Sequence, residues 1–513
     1  MSDKSAENLN EEIEEAENDD LYKQDHPTLS FIGILISTFF LRVAFGSTTV
    51  LMPIYIFLHL QMEGWEANLS IIFVEITYAI AVIISSGYFG FRSDVSDAKR
   101  WILLGTAAGG LILTGYGICA LNWQGWIGII PLANGLMIFG MSLFHFLHGL
   151  AGSIKVNASY GYISRFSVYE TRATKMGFYN VAVSGGRSVG VILAGVLYNA
   201  IVGVNELTRT EGGNVITYWE PTHPQRLAYL YLLFAFAIVI SAVVVFLMID
   251  KTKPVLEHEE YSLKQELLMS WKLMTDKSRR GIVLPLLGTA AIIGILNNWG
   301  FLVLSIESNP ADASLTTVVF TLSMGIPMAL WGWVADRIGR RKTLTIGVTG
   351  LLMMAVVIGI AFFGNFMTGG QPWYDPTSEF DPGGFTNNWW ILVLLVISLF
   401  LGSAYFPAIS GRLGDSSSIG MKEERHGSTM SIQQTIISIS EIIGIILGGV
   451  ALTIVFALSD RTDNFTYNLI GMLVPIVLLL IFTTIASFLW PEEEEFIDTS
   501  KVRRKKKEAS TEE

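Results

Sequence analysis

The sequence GWVADRIGRRK occupies residues 332–342 and follows an apolar run long enough to cross a membrane. A related stretch, GFRSDVSDAKR, occupies residues 90–100 and also follows a long apolar run. Both place a glycine four residues before an aspartate and end in a basic cluster. Such a glycine lets a helix end pack closely on its neighbour, and an aspartate near a helix N-terminus is stabilised by the helix dipole. The two stretches therefore predict equivalent turns in a duplicated helical membrane protein.

Two further features recur once in each half of the chain. Glu170-Thr-Arg172 matches Glu423-Glu-Arg425, and a charged residue stands three positions before a glycine both in residues 187–190 and in residues 441–444. Three matches in the same order predict duplication into two six-helix halves, a plan known for membrane transporters.

The composition indicates a lipid environment. Of the 513 residues, 51% are hydrophobic and only 15% are charged, whereas soluble proteins have roughly 25% charged residues. Apolar runs of about 20 residues, the length that spans a bilayer core, recur along the chain. We predict an all-α integral membrane protein with twelve spans at residues 29–58, 66–90, 101–121, 126–156, 176–202, 226–249, 281–307, 314–335, 343–364, 388–410, 428–456 and 467–490.

These spans divide the chain into five regions. We predict a disordered acidic tail, a first six-helix bundle, a cytoplasmic linker with an interfacial helix, a second six-helix bundle and a charged tail, at residues 1–28, 29–250, 251–280, 281–490 and 491–513. With both termini in the cytoplasm, 28 of the 34 lysine and arginine residues fall on the cytoplasmic side. Positive residues hold short loops on that side, which predicts a multi-pass protein of the cell membrane with cytoplasmic termini.

Several other classes of function leave no signature in the chain. There is no glycine-rich nucleotide-binding loop, no metal-ligand spacing and no Ser/His/Asp grouping for hydrolysis. The one cysteine, Cys119, excludes an intrachain disulfide. We therefore predict no enzymatic activity, no cofactor, no metal and no nucleic-acid partner, and we expect a monomer that binds a small solute within the lipid bilayer.

Residues 332–342 match the loop motif G-x-x-x-D-R-x-G-R-R-K without a mismatch, and by this motif the chain resembles the major facilitator superfamily. The copy at residues 90–100 is degraded, with Val95 and Asp97 where the motif has arginine and glycine. The resemblance covers roughly residues 29–490 and includes a first helix with Leu41-Arg42 followed by Gly46, Pro53 and Tyr55.

The resemblance implies two pseudo-symmetric six-helix bundles that work by alternating access. Spans one, four, seven and ten would line the central cavity, and spans two, five, eight and eleven would form the seam between the halves. It also implies that the two motif turns latch the halves in one orientation, through Gly90, Asp94, Arg100, Gly332, Asp336, Arg337, Gly339, Arg340 and Arg341. The alternative is that these residues supply only topological charge.

Polar residues within the spans are the candidates for solute and ion binding, because a charge at mid-membrane depth costs at least about 2.5–3.5 kcal/mol. The candidates are Arg42, Glu75, His145, Arg187, Asn297, Asn298 and Glu441. Arg42 and Arg187 predict a site for an anionic group, since guanidinium binds carboxylate or phosphate through paired hydrogen bonds. Alternatively, Arg42–Glu75 and Arg187–Glu441 are structural ion pairs, or a glutamate carries a coupling proton.

His145 stands where many members of the superfamily carry an arginine. Because histidine titrates near neutral pH, His145 could carry a coupling proton, or it could simply be hydrogen-bonded to a neighbour. Asn297 and Asn298 either bind the solute or only join helices.

Together these residues predict a secondary active transporter of a small solute, with an organic anion favoured and protons as the candidate coupling ion. A multidrug/proton antiporter is one alternative, although span five lacks the proline of the drug-exporter signature. A non-transporting membrane sensor or a lipid flippase on the same fold is the alternative from another class.

Overall fold

The computed structural model describes residues 26–60, 62, 64–121, 126–211, 214–254, 268, 271, 280–295, 314, 318, 321–367, 389–415, 426–458 and 465–487. Asn297, Asn298, most of the predicted interfacial helix and nearly all of both tails lie outside the described residues.

Seven helices of the first half account for predicted spans one to six. They are α1 (Pro27–Gly46), α2 (Thr48–Ile54), α3 (Gly64–Asp94), α4 (Ala98–Cys119), α5 (Ile130–Arg165), α6 (Tyr169–Leu197) and α7 (Leu227–Met248). π-helical turns follow α2 at Tyr55–His59 and α6 at Tyr198–Val202, and a 3-10 turn at Pro224–Arg226 precedes α7.

Span one is divided into α1 and α2 at Ser47. The hydroxyl of Ser47 donates to the carbonyl of Ala44 at 2.6 Å, and that of Thr48 donates to the carbonyl of Phe45 at 2.7 Å. Such back-bonding weakens the regular helical ladder, and Pro53 removes a further backbone donor from α2.

The described helices of the second half follow the same plan. They are α8 (Arg280–Ile295), α9 (Pro327–Ile338), α10 (Arg340–Met367), α11 (Trp389–Gly402), α12 (Tyr405–Asp415), α13 (His426–Leu458) and α14 (Phe465–Ser487). α11 and α12 together form predicted span ten. Gly339, at the turn between α9 and α10, has a φ of 100°, a backbone conformation that favours glycine.

The outer surface of the bundle is apolar, as lipid requires. Within the described residues, eight helices are long and apolar enough to cross a membrane, and two shorter apolar helices lie at Val283–Ile292 and Val474–Ala486. Leu111 and Leu247 are 77% and 69% exposed. Apolar side chains presented to this extent identify a surface that faces acyl chains.

α5 and α6 extend beyond the predicted spans. α5 ends at Arg165 instead of near residue 156, and α6 begins at Tyr169 instead of near residue 176. The added part of α5 is polar but buried, with Ser159 and Ser164 fully enclosed. Hydropathy counts such residues against a span, although here they pack against protein and not against lipid.

A β-hairpin between α6 and α7 was not predicted. Strand β1 (Val204–Glu211) pairs antiparallel with β2 (Asn214–Pro221), with Thr208 opposite Thr217. β-branched and aromatic residues are frequent in β2 (NVITYWEP) and β-branched residues recur in β1 (VNELTRTE). Gly212-Gly213 separates the two strands in the sequence, and such a dipeptide favours a two-residue hairpin turn.

The two halves meet mainly along two pairs of helices. α3 packs along α13, and α6 packs along α9, while α5 also contacts α13 and α6 also contacts α12. The helices of the two main pairs are spans two, eleven, five and eight, which is the seam that the family resemblance implied.

Candidate functional site

One face of the bundle, termed here the closed face, joins the two halves through the two motif turns. At the first turn, Asp94 accepts hydrogen bonds from the backbone N–H groups of Gly427 and Ser428 at 2.7 and 2.9 Å. The hydroxyl of Ser428 adds a third bond at 3.0 Å, and Ser164 contacts Nδ1 of His426 at 2.9 Å. A carboxylate of the first half thus caps the start of α13 in the second half.

The second turn repeats this plan in the opposite direction. Asp336 accepts hydrogen bonds from the N–H groups of Ala173 and Thr174 at 3.1 and 2.7 Å, and from the hydroxyl of Thr174. A carboxylate of the second half therefore binds near the start of α6 in the first half.

The second turn also contains a chain of buried ion pairs. Nη1 of Arg340 lies 2.6 Å from Asp336, its Nε lies 3.3 Å from Asp415, and Nη1 of Arg172 lies 2.9 Å from the other oxygen of Asp415. None of these four side chains is more than 13% exposed. Arg172–Asp415 crosses between the halves, and the buried Arg412 also acts on Asp415. In the first turn Ala98 stands at the position of Arg340.

The residues predicted for the latch divide into an inward and an outward set. Gly90 and Gly332 lie against the opposite half, where an added Cβ at Gly332 would come within 2.9 Å of the Ala173 carbonyl carbon. The outward set consists of Arg337, which lies 4.3 Å from the Trp333 ring centroid, Arg341, which is exposed, and Arg100, which pairs with Asp97 of its own half at 3.8 Å. Sequence reasoning did not assign Arg172 or Asp415 to the latch.

Inside the bundle, α1 and α6 cross at the level of Arg42 and Arg187. The backbone of Gly186 packs so closely on α1 that an added Cβ would lie 2.9 Å from Cβ of Arg42. The charges of Arg42 and Arg187 consequently act on each other. Nη2 of Arg187 donates to the Thr49 hydroxyl at 3.3 Å. The two arginines thus lie on neighbouring positions of packed helices, and the charges of Glu441 and Glu75 also act on Arg187.

The two structural ion pairs considered from sequence do not form. Among the described residues, no hydrogen bond or ion pair joins Arg42 to Glu75 or Arg187 to Glu441. Glu75 instead lies 3.3 Å from Nε2 of His145. The other ring nitrogen of His145, Nδ1, is 2.5 Å from the Tyr116 hydroxyl. α3 and α5 are neighbours, which explains why Glu75 reaches the histidine and not Arg42.

The second half contributes Glu441, on α13, to this site. The charges that act on Glu441 are those of Arg187, Glu75, Arg42 and His145, all of the first half. These side chains therefore face one another across the seam and do not face lipid.

Tyr78 is a site residue that sequence reasoning missed. Arg42, Glu441, Arg187 and Glu75 all act on it electrostatically. Its position, three residues after Glu75 on the same face of α3, was the available signal.

Comparison with known proteins identifies the family of the chain. A family model described as Major Facilitator Superfamily matches residues 34–374 and 286–512. No curated protein matches the sequence.

Several solved structures share the fold. The human organic anion transporter MFSD10 (TETRAN) has a TM-score of 0.56 at 14% identity, over 91% of this chain and 100% of that chain. A bacterial homologue of the iron transporter ferroportin, in the outward-facing state, has a TM-score of 0.57 at 12% identity, over 89% and 99%. FucP in the outward conformation has a TM-score of 0.56 at 14% identity, over 90% and 99%. At such identities the likeness establishes the all-helical twelve-helix fold and leaves the solute open.

Proposed function

We propose that this chain transports a small organic anion. The chain belongs to the major facilitator superfamily and is one of its secondary transporters. As a member of that family it is an integral multi-pass membrane protein that binds a small molecule, and it is not an enzyme. The solved neighbours are named for different solutes, so the substrate class has to rest on the residues of this chain.

One observation carries the proposal. Arg42 and Arg187 lie on α1 and α6 where these helices pack closely, and no hydrogen bond or ion pair joins either guanidinium group to a carboxylate of the described residues. Like charges repel strongly where water is scarce, so an arrangement that holds two of them together favours an anion between them. A carboxylate or phosphate offers the planar pair of oxygens that guanidinium binds best.

Alternating access is supported by the position of the contacts between the halves. In the orientation that the charge distribution predicts, with both termini cytoplasmic in the cell membrane, the closed face is the cytoplasmic one. The conformation described here would then admit solute from the outside and would release it inside after the closed face opens.

Counterflow in proteoliposomes tests the substrate class, with labelled organic anions, sugars, amino acids and cationic dyes as the panel. We expect exchange of organic anions by the wild type. In Arg42→Ala and Arg187→Ala, the anion concentration that gives half-maximal exchange should rise by about tenfold or more, because each variant loses charge-assisted hydrogen bonds. Arg226→Ala, which removes an exposed arginine, is the matched control.

Exchange of cationic dyes without exchange of anions would contradict the proposal that the substrate is an organic anion, and it would favour multidrug antiport. Failure to exchange any member of the panel would favour a non-transporting sensor or a flippase.

We further propose that protons are the coupling ion and that the Glu75–His145 pair carries the proton. The support is the contact of 3.3 Å between two titratable groups beside the arginines. Glu75→Gln is expected to abolish accumulation driven by a pH gradient while retaining anion counterflow, which requires no net proton movement. Glu66→Gln, an exposed glutamate of the same helix, is the control. If Glu75→Gln still accumulates solute in response to a pH gradient, Glu441 becomes the candidate carrier.

A further inference from the structure

A second group of polar side chains lies on α1, α5 and α6, near Arg42. We term it the inner cluster; it consists of Thr38, Lys155, Ser159 and Tyr179. Thr38 lies one helical turn before Arg42, and Ser159 lies one turn after Lys155. The Tyr179 hydroxyl neighbours the hydroxyls of Thr38 and Ser159, and the charge of Arg42 acts on both Tyr179 and Lys155. Arg42 therefore adjoins the inner cluster as well as Arg187.

Lys155 is the unusual member of the inner cluster. It is 1% exposed, and its Nζ has no hydrogen-bond partner among the described residues. The charged side chain that acts on it is that of Arg42, another cation. Buried amino groups normally bind a carboxylate or a backbone carbonyl, because desolvating an unpaired one is costly.

The hydroxyl groups of the inner cluster are buried with the lysine. Thr38, Ser159 and Tyr179 are each no more than 1% exposed, and the Tyr179 hydroxyl neighbours the other two. Buried polar atoms are ordinarily satisfied, so the unpartnered Nζ of Lys155 indicates a missing partner that accepts hydrogen bonds. An ammonium group and three hydroxyl groups, without an acid, suit an anionic oxygen group.

We propose that the inner cluster binds a second anionic group of the substrate, so that the substrate is a small dianion. Its first acidic group lies between Arg42 and Arg187, and its second lies between Arg42 and Lys155. This inference rests on the proposed function and narrows it. The second group can be a carboxylate or a phosphate, since both supply the same acceptor oxygens.

The test compares dianions with matched monoanions as ligands of the purified full-length protein. The pairs are succinate with butyrate, and phosphoglycolate with glycolate, and affinity is read from the rise of Tm with ligand concentration. In the wild type we expect the dianion of at least one pair to bind about tenfold more tightly than its partner. Lys155→Met should remove this preference while keeping monoanion affinity within about twofold. Lys251→Met, which changes an exposed lysine, should retain the preference.

Tyr179→Phe provides a second variant in case Lys155→Met folds poorly, because it removes one hydroxyl and keeps the ring. It should reduce the dianion preference several-fold. The inference is overturned if neither dianion binds better than its partner, or if the preference survives in both Lys155→Met and Tyr179→Phe. In either case counterflow of monoanions that depends on Arg42 would leave the proposed function standing. Counterflow of dyes alone would overturn both.

Discussion

Replacement of Gly427 by valine is expected to abolish transport while leaving a folded protein in the membrane. Gly427 lies where α13 meets α3 and α5, and an added Cβ would come within 3.0 Å of the Asp94 carboxylate. From the other side, a Cβ on Gly161 would lie 2.9 Å from Cα of Gly427. The larger side chain would separate the helices and remove the hydrogen bonds to Asp94. The clash costs the closed conformation about 1–3 kcal/mol, and each lost hydrogen bond costs it about 1.5–3 kcal/mol. Together these costs would reduce the population of the closed conformation to less than about a hundredth of its wild-type value.

Counterflow at matched expression measures this effect. Gly135→Val is the control, since Gly135 also lies within a helix but an added Cβ there would meet nothing within 4 Å. Transport by Gly427→Val within a few-fold of the wild type would mean that the close approach of α13 is dispensable.

The second large effect is expected at Asp336, where Asp336→Asn should shift the equilibrium toward a conformation open at the closed face. The carboxylate of Asp336 accepts hydrogen bonds from the backbone N–H groups of Ala173 and Thr174 in the first half, and an amide accepts them more weakly because it carries no charge. A hydrogen bond to a charged group contributes about 1.5–3 kcal/mol. Because these bonds exist only while the halves are in contact, losing one changes the ratio of closed to open protein by about tenfold or more.

Distances between spin labels at positions 100 and 342 measure the opening, with Cys119 replaced by alanine. Both positions are exposed on the closed face, one in each half. We expect a longer distance in Asp336→Asn and at least a tenfold loss of uptake. Asp97→Asn is the control, because the contacts of the Asp97 carboxylate among the described residues, with Lys99, Arg100 and Thr252, do not reach the second half. Unchanged distances and uptake in Asp336→Asn would mean that the motif supplies only topological charge and does not latch the halves.

The sequence was informative wherever the determining residues lie close together in the chain. The twelve-helix fold follows from the apolar runs and the duplicated motif, and the family match and the solved neighbours confirm it. Asp94 and Asp336 were candidates for the latch because they belong to the two copies of the loop motif, and the family resemblance implies that role for those copies. Arg172 also belonged to a repeated feature, but its partner Asp415 is 243 residues away. No local pattern links two residues so far apart.

Partner choice inside the bundle could not be predicted either. The sequence allowed Arg42–Glu75 and Arg187–Glu441 as ion pairs because opposite charges occur at similar depths. Which groups meet depends on helix packing, and the contact of α3 with α5 directs Glu75 to His145. The polar end of α5 was missed because hydropathy cannot distinguish a side chain buried in protein from one in water. The hairpin had a clear signal in Gly212-Gly213, but it lies outside the apolar runs that guided the prediction.

The buried ion pair between Arg172 and Asp415 gives the motion of the two halves a direction. Both motif aspartates accept hydrogen bonds from the opposite half, but among the described residues the ion pair that crosses between the halves lies beside Asp336. Separating a buried ion pair costs more than releasing a capped helix end. We therefore expect the halves to separate first where α3 meets α13, while α6 and α9 stay in contact longest.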